Sequence, residues 1–117
     1  MSVSRGEVVL VDYPFSDRTG SKVRPALVVQ TDSLNRRITD TILASISRST
    51  HRASATQLFM DISTREGGQS GLRQNSMIQC ENLLTYDQRL ILAKIGELSA
   101  PLMQRINECL KAALDLA

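Results

Sequence analysis

Apolar positions fall in short runs and alternations through the first two thirds of the chain, then recur every three or four residues at its end. Val8-Val9-Leu10-Val11 follows a turn at Gly6 and reads as a core strand. Thr41 to Ser47 alternates, with Ile42, Ala44 and Ile46 expected toward the core and Thr41, Leu43, Ser45 and Ser47 away from it. Residues 57–62 and 75–82 give two further strands, and residues 64–73, with three glycines, a loop. A helical turn is expected around Ser33 to Arg36. Between Leu90 and Leu98 the pattern fits a short strand or a helix equally well. Ser99 is a good N-cap, with Pro101 in the first turn. Leu102, Met103, Ile106, Cys109, Leu110, Ala113 and Leu114 then keep helical spacing, one face of which should cover the sheet or a second subunit.

The stretch from Lys22 to Asp32 stands out. Arg24 precedes Pro25, and four apolar residues, Ala26 to Val29, follow without a break. Proline has no N–H and favours the first residue of a strand, an edge or a bulge. The residue before it is pushed toward an extended conformation. Arg24 is therefore expected at the mouth of a strand whose continuation is buried on both faces. That places a guanidinium at the rim of the sheet.

Strands first and a helix last predict an α+β domain with a small, strongly bent antiparallel sheet. Residues 1–117 make one domain. The net charge is only +2, but Arg18, Lys22, Arg24, Arg36, Arg37, Arg48, His51 and Arg52 cluster with just Asp32 and Asp40 among them. A clustered basic half is the footprint of a polyanion site. Phe15, Arg18 and Lys22 lie in or beside the loop leading to Arg24, where they offer an aromatic face for a base and cations for phosphates. The start of the chain has no apolar signal-peptide core, so a cytoplasmic protein with free Cys80 and Cys109 thiols is expected. No apolar run approaches the roughly 20 residues that cross a bilayer, and no membrane partner is expected.

One histidine and two distant cysteines give no zinc set of familiar spacing, and there is no glycine-rich phosphate loop. A Ser-His-Asp arrangement would have to use His51, with no nucleophile motif around it. Chemistry without metal or cofactor, carried by arginine and hydroxyl groups, remains. RNA cleavage fits, because the substrate supplies its own nucleophile, the 2′-hydroxyl. The protein then needs a base, a stabiliser for the crowded phosphate and an acid for the leaving 5′-oxygen.

Several segments in order resemble the MazF/PemK toxins of bacterial toxin–antitoxin pairs. They are Arg5 to Val11, Arg24 to Asp32 with Asn35 after it, Thr41 to Ser47, Ser76 to Asn82, Thr85 to Leu90 and Gly96 to Ser99. The resemblance covers nearly the whole chain. It implies an SH3-like antiparallel β-barrel with short helices and a C-terminal helix, working as a homodimer. It implies a metal-independent endoribonuclease that cuts single-stranded RNA to leave a 2′,3′-cyclic phosphate and a 5′-hydroxyl. It also implies a cognate antitoxin whose C-terminal segment occupies the RNA groove. The family's catalytic arginine falls on Arg24, to stabilise the phosphorane. Its catalytic threonine falls on Ser47, which keeps the hydroxyl and loses the methyl. The acidic–amide pair that contacts RNA in relatives falls on Glu81 and Asn82, and Arg48 joins Phe15, Arg18 and Lys22 among the expected RNA contacts. The general base stays unassigned, with Glu81 one candidate and a structural carboxylate the other reading of it.

Two other classes stay open at this point. CcdB toxins share the fold and act by binding DNA gyrase without catalysis. An inactive relative could instead serve as a regulator, with its antitoxin, on operator DNA.

Overall fold

In the computed structural model, which describes residues 2–14, 21–50 and 54–117, six strands form one antiparallel sheet. The strands are β1 (Glu7–Pro14), β2 (Ser21–Val28), β3 (Asp40–Ser47), β4 (Gln57–Met60), β5 (Ser76–Asp87) and β6 (Ala93–Glu97). Three helices punctuate them: α1 (Asp32–Arg37), α2 (Arg65–Gln69) and the terminal α3 (Ala100–Leu114). The spatial order is β4-β5-β3-β2-β1-β6. The sheet curls into a half-barrel, as the expected bent antiparallel sheet requires. Residues 90–98, open in the sequence, hold the end of a 3-10 turn (Gln88–Leu90) and then strand β6.

Both faces of the sheet are covered. On the concave face Val8, Leu27, Ala44, Ile46, Leu58, Ile78 and Cys80 pack against Leu102, Ile106 and Cys109 of α3. On the convex face Val9, Val11, Ala26, Val28 and Leu43 form a second cluster with Val3 and Ile91. The alternation in β3 thus marks two buried faces: Thr41 and Leu43, expected away from the core, are fully buried. Leu43 is covered by residues distant in sequence and Thr41 meets the Asn35 side chain, neither of which a period-2 pattern can reveal.

The segment around Pro25 also differs from expectation. The strand begins at Ser21, so Arg24 and Pro25 lie inside β2. The reason lies in which neighbour each residue faces. Just past the end of β2 the Val29 N–H donates to the Ile42 carbonyl of β3, while the Val28 carbonyl accepts from Gly6 on the β1 side. Odd-numbered residues therefore face β3, and Arg24 faces β1, opposite Val11. The missing N–H of Pro25 faces β3, and the β2–β3 ladder ends one residue earlier, at Ala26–Ser45.

A buried polar knot joins the strand ends. Asn35 Oδ1 accepts from Gln30 Nε2 (2.9 Å) and Thr41 Oγ1 (2.7 Å), while its Nδ2 donates to the Gln30 carbonyl (3.0 Å). Gln88 donates to the Asn35 carbonyl (2.9 Å) and accepts from the Val3 N–H (2.9 Å). No buried side-chain polar atom among the described residues lacks a partner. At α3, Ser99 caps the helix by accepting the Leu102 N–H (3.4 Å) and donates its own proton to Glu66 of α2.

The loop after α2 touches β6 backbone to backbone. Gly71 has φ +75°, and a Cβ there would lie 2.0 Å from the Ile95 carbonyl oxygen. Gly71→Ala is expected to destabilise the fold by about 3 kcal/mol through strain and clash together. A urea midpoint equal to that of the parent would refute this close approach.

Burial pushes the Cys80 thiol up to about 12, with the neighbouring Cys109 adding to it. Unfolding returns it to its ordinary value near 9. Below that value both states hold the proton, so the group adds no pH dependence. Between about 9 and 12 only the unfolded chain ionises, so stability should fall by about 1.4 kcal/mol per pH unit. The check is urea unfolding from pH 8 to 11 beside Cys80→Ala, which should lack this component. Parallel slopes for the two proteins would disprove it.

Candidate functional site

The opened ladder defines the site. Ala26 pairs with Ser45 and Leu27 with Ala44. Continuing this register two residues past its last pair sets Arg24 opposite Ser47. Each is held from its other side, Arg24 by Val11 of β1 and Ser47 by Met77 of β5. Strand alternation puts Arg24 on the convex face with Val11 and Ala26, and Ser47 there with Ser45. Both side chains are half-buried. The arginine and hydroxyl singled out in the sequence thus occupy opposed register positions just beyond the last β2–β3 pair.

The Ser47 hydroxyl is held on one side by the turn that follows β3. Its oxygen accepts the Ser49 N–H (3.1 Å), leaving its own proton to give. One row further along the same face, Ser45 Oγ lies 2.8 Å from the Tyr13 hydroxyl. Tyr13 also donates to Asn82 Oδ1 (3.5 Å), whose Nδ2 donates to Gln79 Oε1 (3.4 Å). This chain of hydroxyls and amides borders the Arg24–Ser47 pair. Asn82, read in the sequence as an RNA contact, belongs to it. Tyr13, Ser45 and Gln79 were not singled out as site residues, because only the register reveals that they share a face.

Glu81 and Asn82 owe their position to a bulge. Ala44 pairs with Leu83 but Ser45 with Gln79, so Cys80, Glu81 and Asn82 have no partner on β3. The Glu81 carboxylate turns toward β4, where it accepts from Thr56 Oγ1 (3.0 Å) and Gln57 Nε2 (2.5 Å). It is thus engaged on the side of β5 away from Ser47.

A groove of about 660 Å³ opens at the same end of the sheet, lined by concave-face residues such as Ile46 and Leu72 and by Arg24, with Ser47 outside its lining. Pro25 and Ile46, the residues where the next ladder bonds would form, both line it. Lys22, Arg24, Arg48 and Arg73 bring four cations to its wall, beside apolar Leu10, Val23, Leu72 and Ile95. The ion pairs among the described residues are Arg89–Asp87, Lys94–Glu7 and Lys111–Glu108. The four groove cations therefore have no carboxylate partner within the described residues. Arg73, separated by sequence from the basic cluster, reaches the groove through the loop after α2. Phe15 and Arg18, and with them His51 and Arg52 of the basic cluster, lie outside the described residues.

The chain is 32% identical to endoribonuclease EndoA of Bacillus subtilis, over 99% of this chain and 97% of that protein. It is 28% identical to an endoribonuclease MazF of Mycobacterium bovis, covering 99% and 100% of the two. Its fold matches a mycobacterial endoribonuclease solved with its cognate antitoxin, with TM-score 0.80, 23% identity and coverage of 99% and 98%. A MazE–MazF structure from Deinococcus radiodurans matches with TM-score 0.71, 15% identity and coverage of 100% and 99%. The model of the PemK-like, MazF-like toxins of type II toxin–antitoxin systems matches residues 4–114, and the chain belongs to that family.

Proposed function

We propose that this toxin is an endoribonuclease that cuts single-stranded RNA by attack of the 2′-hydroxyl on the adjacent phosphate. The observation that carries this reading is the register that sets Arg24 opposite Ser47 across the opened ladder. The new bond joins the 2′-oxygen to phosphorus, and the bond to the 5′-oxygen breaks. The products are a 2′,3′-cyclic phosphate and a 5′-hydroxyl, whose oxygen takes up one proton as the 2′-hydroxyl gives one up. Arg24 neutralises the charge that grows on the phosphate oxygens. Ser47 donates its free proton toward the same phosphate. The cations Lys22, Arg48 and Arg73 hold the flanking backbone. Glu81, with both oxygens engaged on β4, organises the bulge that presents Asn82, and the base that takes the 2′-proton is left unassigned.

A cognate antitoxin is the proposed protein partner, and a second copy of the chain the proposed subunit partner. Large exposed apolar side chains, Leu90 and Leu92 among them, support such contacts. Sedimentation at micromolar concentration should show a dimer; a monomer would contradict that part of the reading.

Purified protein should cut a long unstructured RNA in EDTA at discrete positions, leaving 5′-hydroxyl ends. Arg24→Ala should lose about 100- to 1,000-fold in rate with the fold kept. Ser47→Ala should lose about 100-fold, whereas Ser47→Thr should retain activity. Cleavage by Arg24→Ala at the parent rate would remove the assigned mechanism. Failure of the parent to cut any RNA would point instead to a toxin that acts by binding alone.

A further inference from the structure

The row of residues that contains Arg24 and Ser47 continues across the sheet. Ser47 of β3 is opposite Met77 of β5, and Met77 is opposite Phe59 of β4. Residues directly opposite in an antiparallel ladder share a face. Phe59 therefore lies on the convex face with Arg24 and Ser47, two strands from the hydroxyl, or about 10 Å at normal strand spacing. Its neighbours along β4, Leu58 and Met60, are buried in the concave core, while Phe59 itself is 46% exposed. Met77, between Phe59 and Ser47, is buried, so the row runs from cation to hydroxyl across an apolar step to an open aromatic ring.

An exposed ring alone says little, since scattered surface apolar residues are normal. Its place argues for more. The adjacent row on the same face runs Ser45, Gln79, Gln57, giving two amides beside the ring, with the Gln57 amide held by Glu81 and the Gln79 oxygen by Asn82. Aromatic rings beside amide side chains and unpaired cations are the means by which single-stranded nucleic acid is held. The bases stack, the amides meet base edges, and the cations meet phosphates.

We infer that Phe59 is a stacking platform for a nucleobase next to the scissile phosphate, so that it sets substrate binding rather than the chemical step. The inference rests on the ribonuclease reading above and adds a base-binding position to it. Because the two ladders place Phe59 and Ser47 in one row, the base the ring takes belongs to a nucleotide beside the one that is cut.

The test uses three variants of the full chain and an RNA carrying a mapped cleavage sequence. Phe59→Ala should raise KM about tenfold with kcat within about twofold of the parent. Phe59→Leu, which keeps apolar bulk without a flat face, should behave like Phe59→Ala. Phe59→Trp should cut like the parent. The chain has no tryptophan, so that variant's emission reports on position 59 alone. It should be quenched by the same RNA carrying a 2′-deoxy sugar at the cut site, which binds and is not cleaved. A parent-like KM for Phe59→Ala or Phe59→Leu would overturn the platform while leaving the ribonuclease reading intact, as would unquenched emission. Loss of the dimer or of folding in both Phe59→Ala and Phe59→Leu would assign the ring to packing and also overturn it. Absence of cleavage by the parent would count against the ribonuclease reading, and quenching of Phe59→Trp would still decide whether a base reaches the ring.

Discussion

A hydrogen bond that cannot form organises this molecule. Pro25 turns its ring nitrogen toward β3 at the point where the β2–β3 ladder would continue to Ile46. An ordinary residue there would close the two strands against each other. With proline, the ladder stops at Ala26–Ser45, and the strands are held apart from that point by their outer neighbours, β1 on one side and β5 on the other. Arg24 and Ser47 thus occupy opposed positions on two well-supported strands beyond the last ladder pair. On the proposed reading this leaves little to be ordered when a phosphate arrives, which is the condition under which a charged donor is most effective.

The segments that carry the family resemblance divide into those that do chemistry and those that hold shape. Arg5 is a cation, but its Nε donates to the Val29 carbonyl (2.8 Å) and its Nη2 to Asn107 of α3 (2.7 Å). It ties the chain's beginning to its last helix. Gln30 and Asn35 are buried in the polar knot, where a missing partner would leave an unsatisfied group at a cost of about 1–3 kcal/mol. Asp32 accepts the Arg5 N–H (2.6 Å). Polar residues in a motif are easily read as catalytic. Here most of them secure the ends of β2 and β3, which leaves Arg24 and Ser47 as the pair to which the proposed reading gives the chemistry.

What could be read from the sequence depended on whether the signal was local. β1, β3 and α3 are legible because their apolar spacing is set by their own backbone period. Arg24 is legible because the proline after it restricts its conformation. The second buried face of β3 is not, since Val3, Ile91 and the β1 residues that help to cover it lie far away in the chain. The extension of β5 to Asp87 was equally hidden, because the bulge at Cys80 to Asn82 shifts the register and interrupts the alternation. Arg73 and Phe59 lie outside the basic cluster and the first loop, and only the sheet order and the α2–β5 loop bring them to the site. Pro25 was read as a strand's first residue because a proline inside a strand is costly. It is tolerated in the interior because the side that lacks the donor is the side that stays open.

The serine at position 47 fits the same logic. A threonine there would have its rotamer restricted by two substituents on Cβ. Serine lacks that restriction, and an unrestrained hydroxyl would lose rotational freedom on meeting the phosphate. In this chain the Ser49 N–H occupies one lone pair of the Ser47 oxygen and limits its directions. A backbone donor two residues on thereby does part of what a methyl group would do. The hydroxyl proton stays available, because the oxygen is the acceptor in that contact. A serine at this position therefore suits the donor role that the proposed reading gives it.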